Sequence, residues 1–223
     1  MPDPLEVIRT NIDHLLVEIL PSVTILAACK GRTASEVQAA YQAGLRFFGQ
    51  NYVQEAQTIL PQMDFSTPWH MIGHLQRNKA GAAIELFDSI DTVDSLQLAQ
   101  ELEKRCANSK RQLNVMIEVN SGEEENKSGV LPEDAVALAE YIAQQSHLHL
   151  HGIMTMGPLL GDPENSRPYF VETRKVYEKI AALHLARINL RYLSMGMSNS
   201  YRVAIQEGAN MVRLGTVIFG ERK

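Results

Sequence analysis

The chain has 223 residues, 45% hydrophobic and 21% charged, which supplies apolar material for a substantial core and carries no compositional mark of disorder. A net charge of −5 and the lack of any Lys/Arg run interleaved with aromatics exclude the basic field that draws proteins to nucleic acid. Met1 to Thr10 already carries Asp3, Glu6 and Arg9, and no apolar run reaches the ~20 residues of a bilayer span, so a soluble, cytoplasmic protein with no membrane partner is expected.

A helix is predicted over Leu5–Leu20, after which short β-rich runs alternate with segments of helical periodicity. The strand candidates are Val23–Ala28, Leu45–Phe48, Trp69–Ile72, Ser89–Val93, Asn114–Val119, Leu148–Met154, Leu190–Ser194 and Met211–Leu214. Thr33-Ala-Ser-Glu36 has capping-box spacing and opens a helix that stops at Gly44. Asp94 or Ser95 can cap a helix over Leu96–Ala107, and Pro132 with Glu133 and Asp134 reads as the first turn of a helix running to Gln145. The longest loops are expected at Asn120–Leu131 and Gly157–Arg167, and beyond the eighth strand a short tail, Thr216–Lys223. Strand–helix alternation repeated this often predicts an α/β fold, a (β/α)8 TIM barrel forming a single domain over residues 1–223 with an extra N-terminal helix; such barrels run to roughly 200–250 residues.

In a barrel of this kind the chemistry stands at the carboxyl ends of the strands, and phosphate binds the loops after strands seven and eight. Strand one ends in Ala27-Ala28-Cys29-Lys30. A lysine at the end of an apolar strand is costly to bury unless deprotonated or bonded, which suggests an amine tuned for nucleophilic attack and Schiff-base formation; the alternative is a lysine that simply snorkels to water. Cys29, alternating with Lys30, should face the helices as a packing residue, and with Cys106 far away in an element of different type both are read as reduced. Gly196 and Ser198, with Gly215 and Thr216, offer small residues, backbone N–H groups and hydroxyls where the barrel should hold a phosphate, although each turn alone is ordinary turn chemistry. Arg213, just ahead of Gly215, can reach the centre of the barrel mouth, the alternative being a structural ion pair.

These segments, together with Phe48 to Glu55, Trp69 to Gln76, Val93-Asp94-Ser95, Lys127-Ser128-Gly129, Met154 to Gly157, Leu193 to Ser198 and Val212 to Gly220, resemble the pyridoxal phosphate homeostasis proteins (the YggS/PROSC family), whose barrel is similar to the N-terminal domain of alanine racemase and of the fold-type-III pyridoxal 5'-phosphate (PLP) enzymes. The resemblance covers nearly the whole chain. It implies PLP attached covalently at Lys30, phosphate held by Ser198, Gly215 and Thr216, Arg213 facing the pyridine nitrogen, and a pocket lined by Asn51, Ile72, His74, Met154, Ser194 and Gly196. It further implies no established catalytic turnover, and a role in vitamin B6 homeostasis in which PLP, or another B6 vitamer, is held and released, with PLP-dependent apo-enzymes as recipients. Cys29, Gln50, Ser200 and Arg202 depart from the family's usual residues; Gln50 is expected to remove a charge near the pocket mouth and Arg202 to add one near the phosphate side.

Other signals weigh less. His70 and His74 are four apart, but a strand context with Gly73 and no intervening glutamate argues against zinc. His147, His149 and His151 would share one face of a strand, a possible metal geometry without a carboxylate or thiolate nearby; no metal is expected. Glu123 to Glu125 read as a solvated turn, and Lys127 and Lys79 as surface lysines. A PLP-dependent racemase or decarboxylase is the alternative function, and a lysine aldolase a weaker one. Racemases resembling this chain bring an acid/base group from a further C-terminal domain that meets a partner subunit; that domain is not expected here, and a monomer is.

Overall fold

The computed structural model describes residues 3–158 and 161–221. Its parallel strands close into a barrel in chain order: β1 (Thr24–Ala28), β2 (Phe47–Gln50), β3 (Trp69–Met71), β4 (Ser89–Val93), β5 (Leu113–Val119), β6 (Leu148–Thr155), β7 (Ile188–Ser194) and β8 (Met211–Leu214). Helices α1 (Pro4–Glu18), α2 (Ala34–Gln42), α3 (Val53–Ile59), α4 (Ala80–Leu86), α5 (Leu96–Ser109), α6 (Ala135–Ala143), α7 (Arg167–Ala181), α8 (Tyr201–Gln206) and α9 (Thr216–Phe219) accompany them. The strands match those expected within about two residues.

Local chemistry sets the boundaries. The Asp3 carboxylate accepts from the Leu5 amide, with Pro4 in the first turn of α1. Thr33 and Glu36 form the reciprocal capping box of α2. Ser95, not Asp94, caps α5. The helix expected from Pro132 instead begins at Ala135, because Pro132 to Asp134 are taken up in a turn closed by the Asp134 amide on the Leu131 carbonyl. The tail after β8 is not featureless: it turns into α9, against which Asn11 of α1 donates to the Ile218 carbonyl at 3.0 Å.

Strand alternation sorts the core into two compartments. Between sheet and helices lies a continuous apolar layer that includes Phe48, Phe87, Leu102, Ile117, Ile153, Phe170 and Cys29. Inside the barrel, Leu26, Ile72, Met116, Met154 and Met211 form a smaller cluster. Above and below that cluster the interior is polar, with buried His70, Ser89 and Asp91 toward the amino ends of the strands and Glu118, Ser194 and Arg213 toward the carboxyl ends. β6 carries a bulge: Val115 pairs with Leu150 but Met116 with Gly152, which leaves His151 as the extra residue. The ladders are also uneven, since β5 and β6 pair from Leu113–Leu148 to Val119–Thr155, whereas β7 and β8 are in register at Ser194–Met211. Among the described residues no helix is long and apolar enough to cross a membrane.

Candidate functional site

The carboxyl ends of β7, β8 and β1 are neighbours in the closed sheet, and they bring the sequence-predicted groups to one mouth. Lys30 lies in the turn two residues beyond the end of β1, half-buried, and its neighbour Ala28 sits against the Gly215 turn, where a Cβ on Gly215 would lie 3.5 Å from the Ala28 carbonyl oxygen. The desolvation argument from sequence therefore weakens. What singles Lys30 out is placement: it follows the carboxyl end of β1, next to β8 in the closed sheet, and its amine has no ion-pair partner among the described residues.

Across the β7–β8 turns, the amides of Gly215 and Val217 both donate to Ser198 Oγ, at 3.2 and 3.4 Å. Two backbone N–H groups aimed at one oxygen form the kind of concavity that accepts a phosphate oxygen. Gly196 makes the preceding turn possible: its φ is +88°, and a Cβ there would stand 2.6 Å from the Ala204 Cβ. Its carbonyl accepts from the Arg213 amide at 3.0 Å. Thr216 is exposed beside this turn.

Arg213 rises inside the barrel, 4% exposed. One terminal nitrogen donates to the Ser194 carbonyl and to Ser194 Oγ, both at 2.8 Å, and the other to the Thr155 carbonyl at 2.8 Å. Burial pulls its pKa down to about 10, against the raising charges of Asp91 and Glu118, so it remains a cation at neutral pH. The floor of the mouth is apolar, made by Ile72 and Met154. On the far side Asn51 is half-buried with Oδ1 unpartnered, and the exposed His74 shares Nδ1 with Asp94 Oδ2 at 3.0 Å and Ser128 Oγ at 3.3 Å. Those bonds bring the Val93-Asp94-Ser95 and Lys127-Ser128-Gly129 segments to the same rim.

One residue of the mouth was missed by sequence reasoning. Glu118, near the end of β5, is 5% exposed and its Oε2 has no partner. Burial, reinforced by the charge of Asp94 and opposed by Arg213, pushes its carboxyl up to about 7. The signal was present in Val115-Met-Ile-Glu118-Val119: a lone carboxylate near the end of an apolar strand meets the same desolvation argument that was applied to Lys30.

Several expectations need correction. Gln50 ends β2 beside Asn51 but does not open onto the mouth as a surface group: fully buried, it shares the outward parity of Phe48 and donates to the Cys29 carbonyl at 3.2 Å, with Oε1 unpartnered. Arg202 does not approach the phosphate side, because its guanidinium is paired with Glu18 of α1 at 2.6 Å. Ser200 is buried and accepts from the Met197 amide at 3.3 Å. The two histidines weighed for zinc point apart, His70 bonding Asp91 inside the barrel and His74 bonding Asp94 at the rim. His147 pairs with Glu103 on α5 at 2.8 Å and is not grouped with His149 and His151. Lys127 is held by Glu124 at 2.5 Å, and burial pushes the Cys29 thiol far up, as suits a packing residue.

A closed (β/α)8 barrel with a lysine after β1 and an amide-lined turn after β8 defines the class, and the family described as "Alanine racemase, N-terminal domain" matches residues 5–223. Within that class, the chain is 38% identical to the pyridoxal phosphate homeostasis protein of Aquifex aeolicus, over 89% of this chain and 87% of that one. It is 37% identical to the protein of the same name from Helicobacter pylori, over 96% and 98%. The chain therefore belongs to the pyridoxal phosphate homeostasis protein family, on the alanine racemase N-terminal barrel. Among solved structures, PipY of Synechococcus elongatus matches in its form without PLP at TM-score 0.90 and 33% identity, covering 96% of this chain and 100% of that one. Its PLP-bound form matches at 0.87 and 31% over the same shares. Alanine racemase of Corynebacterium glutamicum, at TM-score 0.81 and 18% identity over 97% of this chain and 62% of that one, shares the fold.

Proposed function

We propose that this chain binds PLP at the carboxyl-terminal mouth of the barrel, covalently through Lys30, and serves intracellular PLP homeostasis by holding and releasing the cofactor without catalytic turnover. The observation that carries the reading is the convergence of the Gly215 and Val217 amides on Ser198 Oγ, one strand away from the half-buried Lys30. The residues present fit the group: the Gly215 and Val217 amides converge on Ser198 Oγ, whose place a phosphate oxygen could share or take over, an unpaired amine stands one strand away, and Asn51 Oδ1 and Glu118 Oε2 are buried acceptors without donors. PLP supplies an aldehyde that condenses reversibly with an amine and a ring that can withdraw electrons.

The protein's part follows from its side chains. Ser198, Gly215 and Thr216 hold the phosphate and Ile72 and Met154 support the ring from below, with Asn51, His74, Ser194 and Gly196 completing the wall. Arg213 carries donors only and is tied to Ser194 and Thr155; facing the ring nitrogen, it would leave no group to keep a proton there, so the ring would withdraw electrons weakly. His74, Thr216 and Tyr52 are exposed at the rim, and solvent access of this kind suits capture and release better than carbanion chemistry, which needs water excluded. The same reading takes other B6 vitamers as further ligands, PLP-dependent apo-enzymes as recipients, the cytoplasm as the location, and a monomeric one-domain barrel over residues 1–223 as the working form.

The test is an absorbance spectrum before and after borohydride reduction, with the labelled peptide found by mass spectrometry and Lys30→Ala in parallel. A pyridoxyl label on Lys30 together with loss of PLP to an added apo-enzyme is expected. A protein that takes up no PLP refutes the binding, and sustained racemisation or decarboxylation abolished by Lys30→Ala refutes the non-catalytic part.

A further inference from the structure

At the opposite end of the barrel, where the strands begin, a cavity of about 680 Å³ opens, within the size range of small-molecule sites. Its walls are unusual for a barrel of this class, whose interior layers are ordinarily filled by branched aliphatic side chains. Here the floor is a hydrogen-bonded chain. His70 Nδ1 lies 2.8 Å from Asp91 Oδ2, Ser89 donates to Asp91 Oδ1 at 2.5 Å, and Ser89 Oγ lies 2.9 Å from His151 Nε2. The single proton of Ser89 goes to Asp91, so His151 donates to Ser89 through Nε2–H, which leaves the His151 Nδ1 lone pair free of that chain. The β6 bulge makes His151 the extra residue of its strand, and bulges beside sites serve to re-aim a side chain. Burying the Asp91 carboxylate behind two imidazoles costs stability that an aliphatic layer would not, which argues for a use other than support.

The rim supplies a second, independent set of features. Arg187 and Arg191 line the cavity and neither is ion-paired with a described residue. Arg187 is held in place by a bond from its guanidinium to the Gln145 carbonyl at 3.0 Å, on a left-handed backbone of φ 67°. The Arg191 guanidinium lies 5.8 Å from the centre of the Tyr192 ring. Beside them, Tyr192 meets Phe47 at 6.4 Å and His151 at 5.4 Å, both edge to face, which gives the cavity an aromatic wall. Asp88, the acid lining the cavity, is engaged by the Trp69 amide at 2.9 Å.

We propose that this amino-terminal mouth is a second ligand site, taking a small planar organic anion whose carboxylate or phosphate is gripped by Arg187 and Arg191 and whose ring lies against Tyr192 and Phe47. Guanidinium forks match such oxyanions, and an aromatic wall selects a flat body over a bare ion. The site is independent of the cofactor reading, since no residue is shared between the two mouths.

The test uses the full chain labelled with ¹⁵N-histidine, titrated with benzoate, with inorganic phosphate and with benzyl alcohol while the imidazole signals are followed. Benzoate is expected to shift His149 and His151 saturably below about 10 mM while His74, at the other mouth, stays still. Phosphate, lacking the ring, and benzyl alcohol, lacking the charge, are each expected to bind at least about tenfold more weakly, as is benzoate to the Arg187→Ala/Arg191→Ala variant, one charge-assisted bond being worth about that factor. Arg191→Glu, which reverses the rim charge, serves if the double variant does not fold. Unsaturable shifts, shifts at His74 of equal size, or unchanged benzoate affinity in the variants overturn the proposal.

Discussion

Replacing Glu118 with glutamine keeps the shape of a buried side chain and removes its titration, which makes the cost of its charge measurable. Glu118 is 5% exposed and its carboxyl rises from 4.5 to about 7, first through burial and then through the charge of Asp94, with Arg213 opposing. Between those values the folded protein keeps a proton that the unfolded chain gives up, so stability falls as pH rises through this window. A rise from 4.5 to about 7 is equivalent to about 3 kcal/mol, taken as an upper figure because the interior relaxes around an ionised group. Urea unfolding of cofactor-free wild type and Glu118→Gln at a series of pH values reads the effect, and the difference between the two curves cancels the groups not coupled to Glu118, leaving its own titration with that of Asp94 and Arg213. Glu118→Gln is expected to match wild type near pH 4 and to exceed it increasingly up to about pH 8. A difference that does not change with pH would refute the argument that Glu118 is buried without a compensating partner.

Other expectations follow from the same geometry. Burial, opposed by Asp91, lowers the His151 pKa from 6.5 to about 4, so the stability it contributes above pH 6.5 is lost as pH falls toward 4; His151→Gln should flatten that acid limb in unfolding curves, by up to about 3 kcal/mol. Gly196→Ala forces a Cβ into contact at 2.6 Å with Ala204 on a backbone of φ +88°, and should cost at least about 2 kcal/mol in urea unfolding. Arg213→Met strands Ser194 Oγ and two carbonyls that the guanidinium now satisfies; it should lower stability by about 3 kcal/mol and, on the proposed function, weaken PLP uptake, both measurable with and without the cofactor.

The barrel was legible because its signals are local and repeated. Ser89–Val93 and Met211–Leu214 fall where the β-branched runs placed them, and Thr33 and Glu36 cap α2 reciprocally as their spacing required. Strand-end logic then gathered Lys30, Ser198, Arg213 and Gly215 without reference to distance. What escaped depends on contacts between elements remote in sequence. Arg202 looked like a charge near the phosphate turn until Glu18, on the first helix, was found to hold it. The bulge that turns His151 inward follows from the pairing of β6 with β5, which no period in the sequence announces. The polar floor linking His70, Ser89, Asp91 and His151 joins three strands, whereas in sequence Ser89 and Asp91 read only as members of a strand and the two histidines only as members of separate metal candidates that were set aside.

The register between β7 and β8 is the single pair Ser194–Met211, so the junction relies on bonds outside the ladder, among them the Arg213 amide on the Gly196 carbonyl. Opening there separates Ser198 from the amides of Gly215 and Val217 and carries Arg213 away from Ser194. An anion bound across the two turns would act as a clasp, adding its own binding free energy to the shortest ladder of the ring. Slow release of such a ligand and slow amide exchange in β8 would then be one event observed in two ways.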